Sequence, residues 1–364
     1  MTQRRIGILT SGGDCSGLNS VIRAAYIRAS LLGYEMIGIK RGLRGLASAD
    51  PEHVLLDAAI CNESMLSSAG SILYSDTNLV AYATRVGLSV NDIRSVLCAG
   101  YKKLGLHGLI CVGGDGSLQI MAELLCAIDE IRLIAIPKTI DNDVNGTDVA
   151  IGFQTAVDVA IGAIGNVIDS AKSHERAIVI EVMGRNAGFI AARAGLASGA
   201  HVILVPEFRY DINMVKEKVK SCFENGRGYC ILVVAESAES EDFKHRREII
   251  DGVVKYTRIA YEGIGKHIAD HIKEIGIDAR AVTLGHVQRG GKTSASDRIL
   301  GTAFGVEAVN QIAAGNYGKL LCYINNRVET VDIIDCVKNP TRSLSLDDPH
   351  VQLAKQLGVY VGET

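Results

Sequence analysis

Three short strings in this chain combine glycine, carboxylate and hydroxyl groups in patterns that suit phosphate chemistry. Gly12-Gly13-Asp14 precedes a helix expected to start near Leu18. Glycines let backbone N–H groups approach a phosphate, and a helix N-terminus adds positive potential. A tight turn without a ligand has the same look. Gly113-Gly114-Asp115-Gly116-Ser117 is more telling. A carboxylate between glycines, at the mouth of a nucleotide site, holds Mg2+ directly or through water, and the next helix start receives phosphate oxygens. Pro137-Lys138-Thr139-Ile140-Asp141-Asn142-Asp143 carries two carboxylates two residues apart. They are buried cheaply only if their jobs differ. One accepts the proton of an attacking hydroxyl, and the other orders Mg2+ or a basic neighbour. Lys138 brings positive charge near a transferring phosphoryl group.

A second set is basic: Arg176, Arg185 after Met183-Gly184, Arg280, His286 and Arg289. Taken singly, each arginine reads as a salt-bridge partner. Most are expected to close an apolar strand, and together they suit a phosphate, whose oxygens match the guanidinium fork. Gly291-Lys292-Thr293 imitates the tail of a nucleotide-binding P-loop. The glycine that such a loop needs five positions earlier is His286, so the pattern fails.

These residues need elements to position them. Apolar runs recur at Ile6–Leu9, Met36–Ile39, Leu109–Val112, Leu133–Ile136, Ile178–Val182, Val202–Val205, Ile231–Ala235 and Ala281–Leu284. They lack polar alternation, which predicts parallel strands buried on both faces. Helical stretches fall between them, as at Leu18–Leu31, Thr155–Ala171 and Met214–Phe223. The alternation predicts βαβ units in an α/β architecture. Pro137 and Pro206 follow apolar runs and are expected to mark strand ends. Ser237–Arg247 is expected to be a solvated loop or helix start. In open parallel sheets ligands bind beyond the carboxyl ends of the strands, where the polar strings stand.

Composition narrows the class. With 364 residues, the chain suits two α/β domains. A hydrophobic content of 48% and a net charge of −3 fit a globular protein and give no general field for nucleic acid. The nine cysteines, with no C-x-x-C pair, read as small buried hydrophobes in a reducing compartment. No apolar leader or span of about 18 apolar residues appears, so a cytoplasmic location without membrane is expected.

The order Gly-Gly-Asp, Gly-Gly-Asp-Gly, Thr-Ile-Asp-Asn-Asp, Met-Gly-Arg and Gly-His-Val-Gln-Arg-Gly-Gly resembles the phosphofructokinase family from about Ile6 to about Gly301. The resemblance implies two Rossmann-like domains with mostly parallel sheets and the active site in the cleft between them. The expected divisions are 1–152 plus 288–338 for nucleotide and 153–287 plus 339–364 for sugar phosphate. It implies ATP-dependent, Mg2+-assisted phosphorylation of the 1-hydroxyl of fructose 6-phosphate, a step of glycolysis. Gly13, Gly114, Asp115, Gly116 and Ser117 would face the donor, with Asp115 on the metal. Asp141 would be the base, with Thr139, Asp143 and Lys138 beside it. Thr139, Ile140, Asp141, Met183, Gly184, Arg185, Glu236, His286, Val287, Gln288 and Arg289 would meet the sugar phosphate. Arg176 and Arg280 match positions that reach a neighbouring subunit's site, so a homodimer or homotetramer is implied.

This chain also departs from the family. Tyr74 stands in place of a glycine, and Asp76-Thr77 stand where a basic residue is expected, within Gly70–Asn78. Lys138 stands where many members have glycine. Pyrophosphate-using members share Lys138 but carry Asp at the position of Gly116, where it would repel the α-phosphate of ATP. The alternatives are thus a pyrophosphate-dependent enzyme and, in another class, a non-catalytic nucleotide-binding regulatory subunit. A kinase of NAD or lipid shares only the Gly-Gly-Asp-Gly string and lacks a cluster like Gly285–Gly291. At the family's effector site Arg23 is kept, Ile27 replaces the next match, His201 replaces an acidic metal partner, and Asn225–Tyr229 has one basic residue of two. Weak or absent control by ADP and phosphoenolpyruvate is therefore expected.

Overall fold

A computed structural model describes residues 4–76, 79, 87, 89–241, 243, 246–250, 253–257, 263–338 and 341–362. The chain divides into two compact units: Met1–Thr155 with Arg289–Arg342, and Ala156–Gln288 with Ser343–Thr364.

Unit 1 is organised on one mixed sheet. Its strands are β1 (Arg5–Thr10), β2 (Glu35–Ile39), β3 (His53–Leu55), β4 (Leu106–Gly113), β5 (Leu133–Thr139), β6 (Ile151–Gly152), β13 (Lys319–Ile324) and β14 (Arg327–Asp332). The order is β14-β13-β5-β4-β1-β2-β3, with β6 paired to β5. The inner pairs are parallel, while β2–β3 and β13–β14 are antiparallel. Ile6, Ile8, Leu109, Ile110, Val112, Ile134 and Ile136 are all fully buried, as expected for strands covered on both faces. The strand at Leu133 runs on through Pro137, which pairs with Gly113, and ends at Thr139. Pro137 therefore lies inside the strand and does not mark its end.

Helix α1 (Leu18–Leu31) lies against α9 (Ala295–Ala314). The close approach needs glycine: a Cβ on Gly305 would come within 2.5 Å of the Val21 carbonyl oxygen. Where α9 starts, Asp297 organises a buried node. Its carboxylate accepts the N–H groups of Gly152 (2.9 Å) and Thr155 (2.8 Å) and the Thr155 hydroxyl (2.5 Å). Asp297→Ala strands these donors and is expected to cost about 3 kcal/mol or more, because buried unpaired polar groups are penalised individually. Thermal unfolding of the variant checks this, and an unchanged midpoint would contradict it.

Unit 2 carries a four-stranded parallel sheet: β7 (Ala177–Val182), β8 (Val202–Leu204), β9 (Cys230–Ala235) and β12 (Ala279–Thr283), in the order β12-β7-β9-β8. The helices α5 (Phe153–Ser173, which begins in unit 1), α6 (Phe189–Ala197), α7 (Ile212–Glu224) and α8 (Gly263–Lys273) alternate with these strands. Strands β7 and β9 are buried along their whole length. Strand β12 is not buried on both faces as its apolar run suggests. It is an edge strand, and three of its five residues are exposed. The polar stretch from Ser237 is not simply solvated. Ser240 and Phe243 are buried, and Arg246–Ile250 forms a hairpin strand with Val253–Thr257. No helix among the described residues is long and apolar enough to cross a membrane.

Candidate active site

In unit 1 the three glycine and carboxylate strings follow the ends of neighbouring parallel strands. Ser11–Asp14 follows β1, Gly114–Ser117 follows β4, and Ile140–Asp143 follows β5. The first two turns interlock. A Cβ on Gly12, which has φ of 87°, would lie 2.9 Å from Ser117 Oγ and 3.1 Å from Lys138 Nζ. Glycine is the residue that tolerates both this backbone and this crowding. Lys138 is buried beneath the turn, and its ammonium donates to the Gly13 carbonyl. Burial pushes the Lys138 pKa down. The side chain thus supports the glycine turn.

Arg289 also belongs to unit 1, where Nη1 donates to the Asp14 carbonyl at 3.0 Å. Gly116 is different from its neighbours. A Cβ there meets nothing within 4 Å, so the backbone borders open space.

The β5 turn holds two carboxyl residues in fixed positions. Asn142 holds φ of 55°, a conformation that asparagine tolerates. Its side-chain oxygen accepts the Ala150 N–H at 2.9 Å, and its amide donates to the Asp148 carbonyl at 3.1 Å. With the turn fixed, Thr139 Oγ1 accepts the Asp141 N–H at 3.1 Å and donates to Asp143 Oδ1 at 2.9 Å. One hydroxyl therefore orients both carboxyl residues. Asp143 is buried and Asp141 half-buried.

Burial raises the pKa of Asp143. Burial, then the charge of Asp143, raises that of Asp115. Two neighbouring carboxyl groups that burial holds above their usual range suit a divalent cation, whose charge offsets the penalty of ionising them. Asp115 further accepts from Thr341 Oγ1 at 3.3 Å. Thr341 comes more than 200 positions later, and no local pattern links it to Asp115.

The departures from the family pattern have structural counterparts. Tyr74 holds φ of 57°, the left-handed region in which a glycine costs nothing and another residue roughly 1–2 kcal/mol. Asp76 pairs with Arg44 at 3.4 Å, and its carbonyl accepts the Gly12 N–H at 2.9 Å. Arg44, from α2 (Gly42–Leu46), is a cation beside the glycine turn that sequence reasoning missed. Thr77 and Asn78 lie outside the described residues.

In unit 2 a cavity of about 290 Å3 opens at the carboxyl ends of β7, β9 and β12. Met183, Glu236 and His286 line it with Glu181, Val182, Thr283 and Gly285. Gln288 is buried, and its side-chain oxygen accepts the Met183 N–H at 2.7 Å. It fixes the wall of the cavity, whereas Val287 is exposed. Gly184 follows with φ of 150°, and Arg185 is exposed to solvent.

Arg176 and Arg280 do not close their strands. They stand at the opposite end, just before β7 and near the start of β12, in register with the beginning of β7. Both contact Asp278, at 3.4 and 3.6 Å. From Arg280 to Thr283 the strand spans roughly 10 Å. The two arginines therefore stand apart from the cavity at the other end of the same sheet.

A two-unit α/β chain with glycine turns and carboxylates at its strand ends is a phosphate-handling protein of the Rossmann-like class. The phosphofructokinase family model matches residues 5–312. The chain is 42% identical over 364 residues to an ATP-dependent 6-phosphofructokinase 1 of a Nostoc species, covering 99% of both chains. It is 38% identical to an ATP-dependent 6-phosphofructokinase 2 of Clostridium perfringens, covering 98% of both. A phosphofructokinase structure from Saccharomyces cerevisiae superposes with a TM-score of 0.77 at 26% identity, over 92% of this chain and 45% of that one. The chain thus spans less than half the length of the yeast protein. A pyrophosphate-dependent phosphofructokinase structure from Marinobacter aquaeolei gives a TM-score of 0.78 at 20% identity, over 99% and 92%, which is a likeness of fold. The chain belongs to the phosphofructokinase family.

Proposed function

We propose that this protein is an ATP-dependent 6-phosphofructokinase, with the donor handled by unit 1 and fructose 6-phosphate by unit 2. The observation that carries the reading is the Thr139 hydroxyl, which ties Asp141 to Asp143 next to Asp115. Asp141 takes the proton of the 1-hydroxyl as its oxygen attacks the γ-phosphorus. The bond from that phosphorus to the bridging oxygen breaks, and ADP leaves with the electron pair. The transition state is loose, so positioning and charge dominate. Backbone N–H groups of Gly13 and of Gly114 to Ser117 hold the donor phosphates. Asp115 would hold Mg2+, which when bound neutralises phosphate charge.

On the sugar side, Met183, Gly184, Arg185, Glu236 and His286 bind the acceptor, and Gln288 keeps Met183 in place. Phosphorus NMR of a mixture of ATP, Mg2+ and fructose 6-phosphate tests the reading. One ADP should form per new sugar phosphate ester. ATP loss without a new ester would overturn it.

The donor is ATP because Gly116 borders open space. The relatives named for ATP at 37–42% identity favour the same donor. Enzyme and substrates belong to the cytosol, which the nine free cysteines favour.

Arg176 and Arg280 stand at the far end of their sheet from the cavity, which supports their use in a neighbouring subunit's site. The working form is then a homodimer or homotetramer. Mixing Asp141→Ser protein with Arg280→Ala protein should restore part of the activity through hybrid sites. No recovery, with subunit exchange demonstrated, would contradict sharing.

A further inference from the structure

The His201, Cys222 and Cys230 side chains form a buried cluster that the phosphoryl-transfer reading leaves unused. Their nitrogen and sulfur atoms lie within 4.8 Å of one another. Cys222 is near the end of α7, and Cys230 opens β9. A cavity of about 230 Å3 reaches Cys222 but not Cys230, and Lys218, Arg227 and Asn225 share its lining. Lys218 and Cys222 are four residues apart on one face of α7, so the cation and the thiol point the same way.

The arrangement favours an anion at Cys222 over a metal among the three. His201 Nδ1 accepts the Ile231 N–H at 2.9 Å, so its lone pair is spent. The Arg227 guanidinium stands 2.5 Å from the other ring nitrogen, and burial holds the imidazole at a pKa of about 4. A metal ion would therefore meet two fixed cations and a histidine with no free lone pair.

We propose that Cys222 and Cys230 are a thiol–disulfide exchange site for small anionic disulfides of the glutathione type. The Cys222 thiolate attacks one sulfur of the disulfide, forming a mixed disulfide and releasing one thiolate. The Cys230 thiol gives up its proton, attacks Cys222 Sγ and releases the second thiolate. The two protein thiols are oxidised, and one external disulfide is reduced to two thiols. Lys218 and Arg227 attract the carboxylates of the incoming molecule. The crosslink joins the end of α7 to the start of β9 and closes the turn between them.

The local charges agree with these roles. The Cys230 thiol, then Lys218 and Arg227, pull the Cys222 pKa down to about 7 against the opposing effect of burial. The Cys230 pKa is pushed well above the usual value, first by its hydrogen bond to the free Cys222 thiol. The more ionised thiol is the one the cavity reaches, as an attacking group must be.

The test treats the whole protein with oxidised glutathione at neutral pH and maps its peptides by mass. A Cys222–Cys230 disulfide is expected, reversible by dithiothreitol. Cys230→Ser should stop at a glutathione adduct on Cys222, and Cys222→Ser should leave Cys230 unmodified. Without any change to the two cysteines, Arg227→Gln should slow alkylation of Cys222 roughly threefold, since a larger thiol fraction is only partly offset by higher nucleophilicity. Reaction at the half-buried Cys98 and Cys126 with none at Cys222 would overturn the proposal. So would stoichiometric zinc in the native protein that is lost in Cys222→Ser.

Discussion

Asp141→Ser is expected to lower turnover by roughly 10²–10⁴ while leaving the affinity for fructose 6-phosphate nearly unchanged. The carboxylate at position 141 is the group proposed to take the hydroxyl proton, and serine cannot take it near neutral pH. The rest of the turn should survive. Asn142 holds it through Ala150 and Asp148, and the Thr139 bond to Asp143 does not involve the Asp141 side chain. The residues proposed above to bind the sugar, Met183, Gly184, Arg185, Glu236 and His286, belong to unit 2. Steady-state kinetics with a separate binding measurement divides the two effects. Near-normal turnover would remove Asp141 from the base role, and lost sugar affinity would make it a binding residue.

The second large effect concerns the donor. Gly116→Asp should lower kcat/KM for ATP by about 10²-fold, because like charges brought together cost several kcal/mol. No neighbour stands within 4 Å of the added Cβ, so the variant should fold normally. The loss would then come from repulsion at the donor. Pyrophosphate leaves the adenosine region empty, so its use should suffer less and can become measurable. Equal ATP use by the native and variant proteins would show that position 116 does not border the donor. Lys138 is buried and donates to the Gly13 carbonyl, and Arg44 pairs with Asp76, whose carbonyl accepts the Gly12 N–H.

Much of the fold could be read from the chain because apolar runs without alternation mark buried parallel strands. Ile6–Leu9, Ile178–Val182 and Ile231–Ala235 each lie within a strand. The antiparallel β14 is not marked by an apolar run, because three of its six residues are charged. The Ala281 run misled because hydrophobicity does not distinguish an edge strand from a central one.

The site strings were legible where glycine and carboxylate cluster locally. Thr341 and Arg44 were not, since each reaches its partner only through the fold. The direction of Arg176 and Arg280 was also hidden. Residue type shows that an arginine borders a strand but not which end it borders.

ATP-dependent catalysis is tested most simply by measuring fructose 1,6-bisphosphate formed from fructose 6-phosphate with ATP or pyrophosphate supplied separately, each with Mg2+. Product is expected with ATP and little or none with pyrophosphate. Product with pyrophosphate alone would contradict the donor assignment. No product with either donor, from a folded protein that still binds ATP, would contradict catalysis and favour a regulatory subunit.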